Sequence, residues 1–500
     1  MISRVRIYPI ETGKPIVVMN EEDAKDLGVF TSGRVEIVFK ENIITAIVDT
    51  TKTFVKSGEI GIFDDVRRIL NIEEGTEVEV KETRPPKSLE FIRKKLHGST
   101  LHGHEIRAII QDIVDNKLSD IELSAFITGG YIHGYTMDET VALTNAMVET
   151  GQKIDFGDNI VDKHCIGGVA GNRTTLLIVP IIAAAGLTIP KTSSRAITSP
   201  SGTADTMEVL ADVKFSIDEL KEIVTKTNGC IIWGGAVNIA PADDKIIRVE
   251  YPLSIDPQGQ VLASVMAKKK SIGSDYVLID IPVGKGSKIL DMESANSLSK
   301  RFIELGKRLD IAVECVITDG SSPIGSGIGP ALEARDILLS LDNKGPTDLI
   351  NKSLELSGIL LELSGKISKG NGRDVAEKLL NFGKAKKKMM EIIEAQGGDP
   401  NVKVDDIEIG REKYTVISDR KGRVGHIDNR IISRIARTAG APKDKSAGIY
   451  LHVRSGDPIR IGDPLFTIYS SNSRKLDDAV TLANKLNPVR VGSVILGRVE

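Results

Sequence analysis

The chain has 500 residues, 41% of them hydrophobic and 27% charged, a composition typical of an ordinary globular protein with roughly two to four domains. Its formal net charge is −3, so a general electrostatic attraction to nucleic acid is not expected. Cys165, Cys230 and Cys315 lie far apart, and no apolar run is long enough to span a bilayer. We therefore expect a cytoplasmic protein without disulfides that binds neither nucleic acid nor a membrane.

Residues 1–84 alternate apolar and polar side chains in short runs that glycine and asparagine interrupt. Runs of this kind at 34–39, 43–48 and 77–80 are rich in β-branched residues, which are typical of strands. They predict a β-rich N-terminal domain in the form of a small β-barrel. Pro85 and Pro86 predict its end, because proline cannot continue a paired strand.

Residues 85–155 change to a helical period and predict the first part of a helical domain. One apolar stripe runs through Ile106, Ile109, Ile110, Ile113 and Val114. The pairs Ser119 with Glu122 and Thr136 with Glu139 have the spacing of capping boxes, so we expect a helix to begin at each.

Residues 156–345 alternate short apolar strands with helical segments, and each strand leads into a glycine-rich turn. This pattern predicts an α/β sheet domain whose ligands bind at the strand ends, with helical-domain segments returning within it. Residues 346–404 are charged and predict a helical linker region, and 405–500 predict a C-terminal α+β domain. The fold class is therefore multi-domain α/β. The lysine runs at 268–270 and 386–388 are interpreted as solvated helix faces, with Lys268 as an exception that is considered below.

Two loops dense in glycine, serine and threonine organise the central region, at residues 162–171 and 191–205. An apolar run at 176–185, long enough for about three helical turns, lies between them. Glycines let backbone amides approach an anion, while hydroxyls, Lys163 and Arg195 add donors and positive charge. Each stretch alone could be an ordinary loop, and neither has the spacing of a standard nucleotide motif. Together they predict a site that holds phosphate on both sides of a reacting bond.

The motifs of these loops resemble those of the thymidine/pyrimidine nucleoside phosphorylase family. The first reads Asp-Lys-His-Cys-Ile-Gly-Gly-Val from Asp162, and the second reads Ser-Arg-Ala-Ile-Thr-Ser-Pro-Ser-Gly-Thr-Ala-Asp-Thr-Met-Glu and ends at Glu208. The resemblance covers about residues 85–500 and is nearest to the long archaeal branch, the AMP phosphorylases, which have an extra N-terminal domain. Cys165 and Ile166 stand where the classical enzymes have serine and threonine, so the phosphate contacts of the first loop differ.

The resemblance implies the nucleoside phosphorylase/phosphoribosyltransferase class II architecture and a pentosyltransferase that uses no cofactor. The expected reaction converts AMP and phosphate into adenine and ribose 1,5-bisphosphate, with CMP and UMP as further candidate substrates. Its members dimerise through the helical domain, so a homodimer or larger homo-oligomer is expected. The alternatives are a pyrimidine nucleoside (thymidine) phosphorylase, a magnesium-dependent phosphoribosyltransferase and a non-catalytic nucleotide sensor.

The family pattern makes Asp256 the candidate general acid for the departing base. A carboxylic acid that donates a proton near neutral pH needs a raised pKa, from burial or from nearby substrate anions. His164 is the rival acid, because imidazole suits neutral pH better. Asp256 could also be only a turn residue before Pro257.

The resemblance also implies the remaining ligands. Ser264 and Lys268 are four residues apart and would present donors to the base from one helix face. Lys288 is expected to meet the 5′-phosphate, Gly168 to approach the sugar phosphate, and Lys163 to hold the attacking phosphate, where Thr174 could add a hydroxyl and Lys268 is a further candidate ligand. The principal substrate grip is expected from Ser194, Arg195, Ala196, Ile197, Thr198, Ser199 and Thr203. No metal is expected, because no carboxylate cluster of the kind used in magnesium–phosphate sites is recognisable.

Overall fold

The computed structural model describes residues 1–196, 199–253 and 255–492. The chain divides into two compact units, one made of residues 1–150 with 240–264 and the other of 151–239 with 265–500. Within the described residues, no helix combines the length and the apolar composition that a membrane span requires.

The N-terminal part of the first unit is a closed barrel with strand order β1-β5-β2-β4-β3-β6. Alternate side chains point inward, as Val78 and Val80 do on β6, and form an apolar interior that includes Val5, Val35 and Ile37. Closure pairs the strand edges with each other. The elements are β1 (Ile2–Tyr8), β2 (Ile16–Asn20), α1 (Glu21–Asp26), β3 (Arg34–Phe39), β4 (Asn42–Thr51), β5 (Glu59–Phe63), α2 (Asp64–Leu70) and β6 (Glu77–Glu82).

Four helices follow the barrel: α3 (Ser88–Leu96), α4 (Gly103–Val114), α5 (Asp120–His133) and α6 (Met137–Glu149). Both predicted capping boxes are confirmed, since Ser119 caps α5 with Glu122 and Thr136 caps α6 with Glu139. The predicted stripe on α4 is largely buried, and the Lys95 ammonium donates to the buried Glu139 carboxylate at 2.8 Å. These helices therefore pack through apolar faces and one compensated buried charge pair.

The second unit contains a parallel sheet in the order β11-β10-β7 and a separate parallel pair, β8 with β9. The multi-domain α/β class is thereby confirmed. The strands are β7 (Val161–Cys165), β8 (Ile189–Ser193), β9 (Gly229–Trp233), β10 (Tyr276–Val283), β11 (Ala312–Asp319) and β12 (Gly327–Ile328). Its helices are α7 (Thr175–Ala184), α8 (Thr203–Met207), α9 (Ile217–Thr227), α12 (Met292–Arg308) and α13 (Pro330–Leu341). Helix α10 (Pro241–Leu253) belongs to the first unit, where it packs against α4 and α5, and α11 (Gln258–Ser271) begins in the first unit and continues in the second from residue 265.

Helix α7 is the centre of the main apolar core. The predicted helix between the two glycine loops is confirmed, and its residues 175–183 are all buried. The next part of the chain supplies α14 (Thr347–Leu363), α15 (Gly372–Asn381) and α16 (Lys384–Ala395), which pack against α7 in that core. Apolar packing around α7 thus fixes the helix that joins the two loops.

The C-terminal part combines two antiparallel sheets, in the orders β12-β15-β17-β13 and β16-β14-β18, with two helices that pack on each other. Its apolar core includes Ile432, Ile435, Ile449 and Phe466. The elements are β13 (Glu412–Ile417), β14 (Gly422–Ile427), α17 (Asn429–Ala439), β15 (Gly448–Leu451), β16 (Pro458–Ile459), β17 (Pro464–Ser470), α18 (Ser473–Leu486) and β18 (Val489–Gly492).

Candidate active site

The first glycine loop begins later than its sequence suggested. The prediction of a loop at 162–171 is wrong for its first four residues, which belong to strand β7 and pair in parallel with β10, Asp162 opposite Val277. Polar side chains can occupy this buried strand because charged partners compensate them. The loop itself follows the strand and turns at Gly167 and Gly168, whose φ angles are +95° and +91°.

Gly168 lies directly against the turn that ends at Lys288. A Cβ atom built on Gly168 would be 2.4 Å from the backbone nitrogen of Lys288 and 2.9 Å from the carbonyl carbon of Ser287. Only glycine fits such a contact at a positive φ. The structure therefore brings together two predicted ligands, Gly168 and Lys288, and the Lys288 side chain is exposed.

Lys163 and Thr174, both predicted near the attacking phosphate, are also brought together. The buried Lys163 ammonium donates to the Thr174 hydroxyl at 3.0 Å and lies 3.6 Å from Oδ2 of the buried Asp280. Burial alone would raise the pKa of Asp280, but Lys163 and Lys352 outweigh it and hold that pKa below its usual value. Sequence analysis missed Asp280, although an aspartate inside an apolar strand signals a buried counter-charge.

Cys165 replaces a hydroxyl donor with a thiol of little acidity. Burial, reinforced by Asp280, raises the pKa of Cys165 to about 11, so the thiol stays protonated near neutral pH. The Asn172 amide donates to its sulfur at 3.2 Å. A thiol is a weak hydrogen-bond donor, so this position contributes less to a phosphate than a serine would.

The second loop is also shorter than predicted. Residues 191–193 belong to β8, where Lys191 pairs with Ile231 of β9, and Thr203 already opens helix α8. The prediction of a loop at 191–205 is wrong at both ends, because strand pairing and the helix take those residues. What is left is a tight turn in which a Cβ built on Gly202 would lie 2.6 Å from the Ser194 carbonyl oxygen.

Asp205 organises this turn from inside. Its carboxylate accepts hydrogen bonds from the backbone N–H groups of Ala196 at 2.7 Å and Gly202 at 2.8 Å. Arg195 donates to Asp205 at 3.1 Å and to both carboxylate oxygens of Glu208, at 2.7 and 2.5 Å. The hydrogen bonds from Arg195 lower the pKa of Glu208 to about 2. The charge of Arg195 and the amide of Ala196 therefore serve the shape of the loop.

The other predicted ligands of this loop are divided between its surface and its interior. Ser194 is exposed, Thr203 is partly buried, and the Ser199 hydroxyl donates to the Ser201 carbonyl oxygen at 2.8 Å. Ile197 and Thr198 lie outside the described residues. Of these three residues, the Ser199 hydroxyl is thus engaged within the loop, and Ser194 has the most exposed side chain.

Asp256 and Ser264 belong to the first unit. Asp256 is exposed and precedes α11, the helix that carries Ser264 and Lys268 one turn apart, as the spacing predicted. The expectation that burial would favour a protonated Asp256 is therefore not met by the described residues.

His164, the rival acid, lies next to several lysines. Burial lowers the pKa of His164 well below its ordinary value, and Lys269 and Lys191 lower it further. The imidazolium is therefore a minor species near neutral pH, which favours Asp256 as the proton donor.

One lysine run was interpreted wrongly. The prediction of a solvated face at 268–270 fails for Lys269, whose side chain is 2% exposed and donates to the buried Asp162 at 2.6 Å. The pattern of three consecutive lysines carried no sign of this carboxylate, which comes from a distant strand.

A cavity of about 1030 Å³ lies at the end of β11, and none of the described residues that were predicted for the site lines it. Lys352 and Arg454 line it, but Lys352 already lies 3.2 Å from Asp280, and Arg454 lies 3.4 Å from Asp348. In the described part of the chain, no group of three or more His, Cys, Asp or Glu side chains is arranged so that it could hold a metal ion.

Three segments match known domain families. Residues 89–151 match the helical bundle domain of the glycosyl transferase family, 157–386 match its a/b domain, and 423–489 match the pyrimidine nucleoside phosphorylase C-terminal domain. Among solved structures, anthranilate phosphoribosyltransferase from Thermus thermophilus is similar, with a TM-score of 0.53 and 16% identity, over 61% of this chain and 98% of that chain. That likeness shows a shared fold over the matched part.

Whole-chain relatives are much closer. AMP phosphorylase 1 of Archaeoglobus fulgidus is 50% identical over 498 residues, which cover 99% of this chain and 98% of that protein. AMP phosphorylase of Thermococcus kodakarensis is 51% identical over 501 residues (100% and 99%), and that of Methanocaldococcus jannaschii is 48% identical over 499 residues (99% and 99%). With half of its residues shared along the full length, this chain belongs to the AMP phosphorylase family.

Proposed function

We propose that the protein catalyses the phosphorolysis of AMP, in which inorganic phosphate displaces adenine and leaves ribose 1,5-bisphosphate. The observation that carries this proposal is the identity of about half of all residues to AMP phosphorylases over the whole chain. CMP and UMP are further candidate substrates. The chain would act as a pentosyltransferase in nucleotide breakdown, with the class II architecture of nucleoside phosphorylases and phosphoribosyltransferases.

The chemistry sets three demands on the site. The transition state resembles an oxocarbenium ion, so an anionic nucleophile held under C1′ stabilises it. The leaving base needs a proton on a ring atom, and the 5′-phosphate needs its own donors. The nucleophile and the 5′-phosphate together require two anion sites, for which the two glycine loops are our candidates.

We assign the attacking phosphate to the first loop. Lys163 and Thr174 would provide an ammonium and a hydroxyl there, and their mutual hydrogen bond and the nearby Asp280 hold both groups in place. Gly168 would approach the sugar phosphate with its backbone, from a turn that the close contact with Lys288 holds in place.

We assign the 5′-phosphate to the second loop together with Lys288. Ser194, Ser199 and Thr203 would donate from the loop, and the adjoining residues 197–198 belong to the same predicted grip. Arg195 would support this site from behind, because its guanidinium is already bound to Asp205 and Glu208. Lys288 would supply the positive charge, since its exposed side chain follows the backbone contact with Gly168.

We assign the base to α11 and to Asp256. Ser264 and Lys268 would present donors from one helix face, and Lys268 is a further candidate for a phosphate contact. Asp256 would be the general acid that protonates the departing base.

The test is adenine release from AMP, measured by chromatography with and without phosphate. We expect release only when phosphate is present, and much slower release from adenosine or thymidine. Turnover of a nucleoside but not of AMP would establish the pyrimidine nucleoside phosphorylase instead, and AMP binding without any release would establish a sensor. Neither alternative is favoured by the relatives, which are AMP phosphorylases.

The protein is also proposed to form a homodimer or a larger homo-oligomer, as the family resemblance implies. Light scattering of the purified chain tests this, and a mass near the 54.1 kDa of one chain would refute it.

A further inference from the structure

A buried carboxylate with two buried ammonium groups lies behind the two glycine loops. Asp162 is completely buried, and its Oδ2 accepts a hydrogen bond from Lys269 Nζ at 2.6 Å. Its Oδ1 lies 3.3 Å from Lys191 Nζ. The lysines are 5% and 2% exposed, for Lys191 and Lys269 respectively. We call Asp162, Lys191 and Lys269 the buried triad.

Each member of the triad comes from a different element, and each of these elements carries predicted ligands or leads into them. Asp162 lies in β7, which leads into the first loop and also carries Lys163. Lys191 lies in β8, three residues before Ser194 of the second loop. Lys269 follows Lys268 on α11. One carboxylate therefore contacts all three elements.

Backbone pairing does little to hold the two loops in register. Strand β7 belongs to the sheet with β10 and β11, whereas β8 pairs with β9. An isolated bridge joins Ile160 to Thr188, and the Val161 N–H donates to the Thr188 carbonyl oxygen at 3.0 Å. Beyond this bridge, the described part of the chain has no ladder between β7 and β8. The ion pair between Asp162 and Lys191 spans the strands at that point.

Stability alone is a poor reason for such a triad. Burying charges carries a desolvation penalty that often cancels their attraction, so apolar side chains of similar size would stabilise the fold equally well or better. The triad also combines two lysines with a single carboxylate. Burial lowers the pKa of Lys191 to about 7, with Asp162 opposing this effect and Lys269 adding to it.

We propose that Asp162 is a positioning residue, which sets the spacing of the first loop, the second loop and the Lys268 turn of α11 through its contacts with Lys191 and Lys269. The inference rests on the proposed function, because that function makes these three elements the grip on one substrate. Asp162 itself touches no reacting atom. Its effect passes through the residues that its two lysine partners hold in place.

Two variants separate positioning from electrostatics and from stability. The double variant Asp162→Asn/Lys269→Met removes one negative and one positive charge, so the net charge of the triad is unchanged while the link to α11 is lost. The variant Lys191→Met keeps the Asp162–Lys269 pair and removes the link to the second loop along with a buried charge. Lys270→Met is the matched control, since it makes the same change on α11 outside the triad.

The measurements are the Kd of AMP by calorimetry, the kcat and KM of adenine release, and the melting temperature. A displacement of about 1 Å in a site can cost roughly 100-fold in catalysis, so we expect both variants to lose at least about tenfold in AMP affinity and in kcat/KM. Lys191→Met should keep the melting temperature of the wild type, because the lost ion pair with Asp162 is offset by the desolvation penalty of the buried ammonium group that is removed with it. Lys270→Met should match the wild type.

Wild-type AMP affinity and kcat/KM in both variants would overturn the positioning role. If the double variant fails to fold, Lys191→Met alone decides, because unchanged affinity in that variant refutes the link to the second loop. A wild-type chain that binds AMP but releases no adenine would overturn the proposed reaction instead, and the comparison of Kd values would still test the triad.

Discussion

The contact between Gly168 and Lys288 gives a sharp prediction for Gly168→Ala. The new Cβ would lie 2.4 Å from the Lys288 nitrogen, whereas ordinary contact begins at 3.4 Å. The first glycine loop and the turn that ends at Lys288 must therefore separate by about 1 Å. The φ of +91° adds strain of about 1–2 kcal/mol for alanine. Because a 1 Å displacement in a site can cost about 100-fold, kcat/KM for AMP should fall by that factor, which corresponds to about 2.7 kcal/mol.

Gly157→Ala is the matched control. Gly157 has a φ of +88°, but a Cβ built there would meet no atom within 4 Å. The two variants therefore share the backbone strain, and only Gly168→Ala adds the clash. Adenine release under steady-state conditions and melting temperature are measured for both. If kcat/KM for Gly168→Ala stays within about threefold of Gly157→Ala, the loop contact does not shape the site and the reasoning fails.

Three further predictions concern the acid, the 5′-phosphate and the second loop. Asp256→Asn should keep its Kd for AMP but lose about two to four orders of magnitude in kcat, and an unchanged kcat would return the acid role to His164. Lys288→Ala should raise the KM for AMP far more than that for adenosine, since only AMP has the 5′-phosphate; equal losses would count against this pairing. Glu208→Gln should lower stability by about 1 kcal/mol at pH 7, because it breaks the partly exposed pair with Arg195. The folded-state pKa of Glu208 is lowered from 4.5 to about 2, so its contribution is present above pH 4.5 and is lost as the pH falls toward 2. The melting temperature should therefore change less with pH in the variant than in the wild type between pH 4.5 and 2. The same pH dependence in both proteins would contradict the assignment.

Local sequence patterns determined most of the secondary structure. Ser119 with Glu122 and Thr136 with Glu139 predicted their helix starts, because a capping box satisfies backbone donors within one turn. The helix α7 could be predicted from the length and the hydrophobicity of its apolar run alone. The loop motifs were specific enough to indicate the family, which the whole-chain relatives confirm.

The limits of the glycine loops could not be predicted in the same way. Residues 162–165 and 191–193 are polar, and a local pattern assigns polar stretches beside glycine to loops. They form strands because β10 and β9 pair with them and because buried charges meet their side chains. Both causes lie far away in the sequence.

The sequence by itself determined the element types, the glycine loops and the family of this protein, since these depend on residues that are near each other along the chain. Only the tertiary structure decided which charged side chains are paired with a counter-charge inside the fold. Arg195 pairs with Asp205 and Glu208, and Lys269 pairs with Asp162 from a strand more than a hundred residues away. The physical reason is that a charged side chain is buried or exposed according to the counter-charge that folding brings to it, which local sequence does not encode.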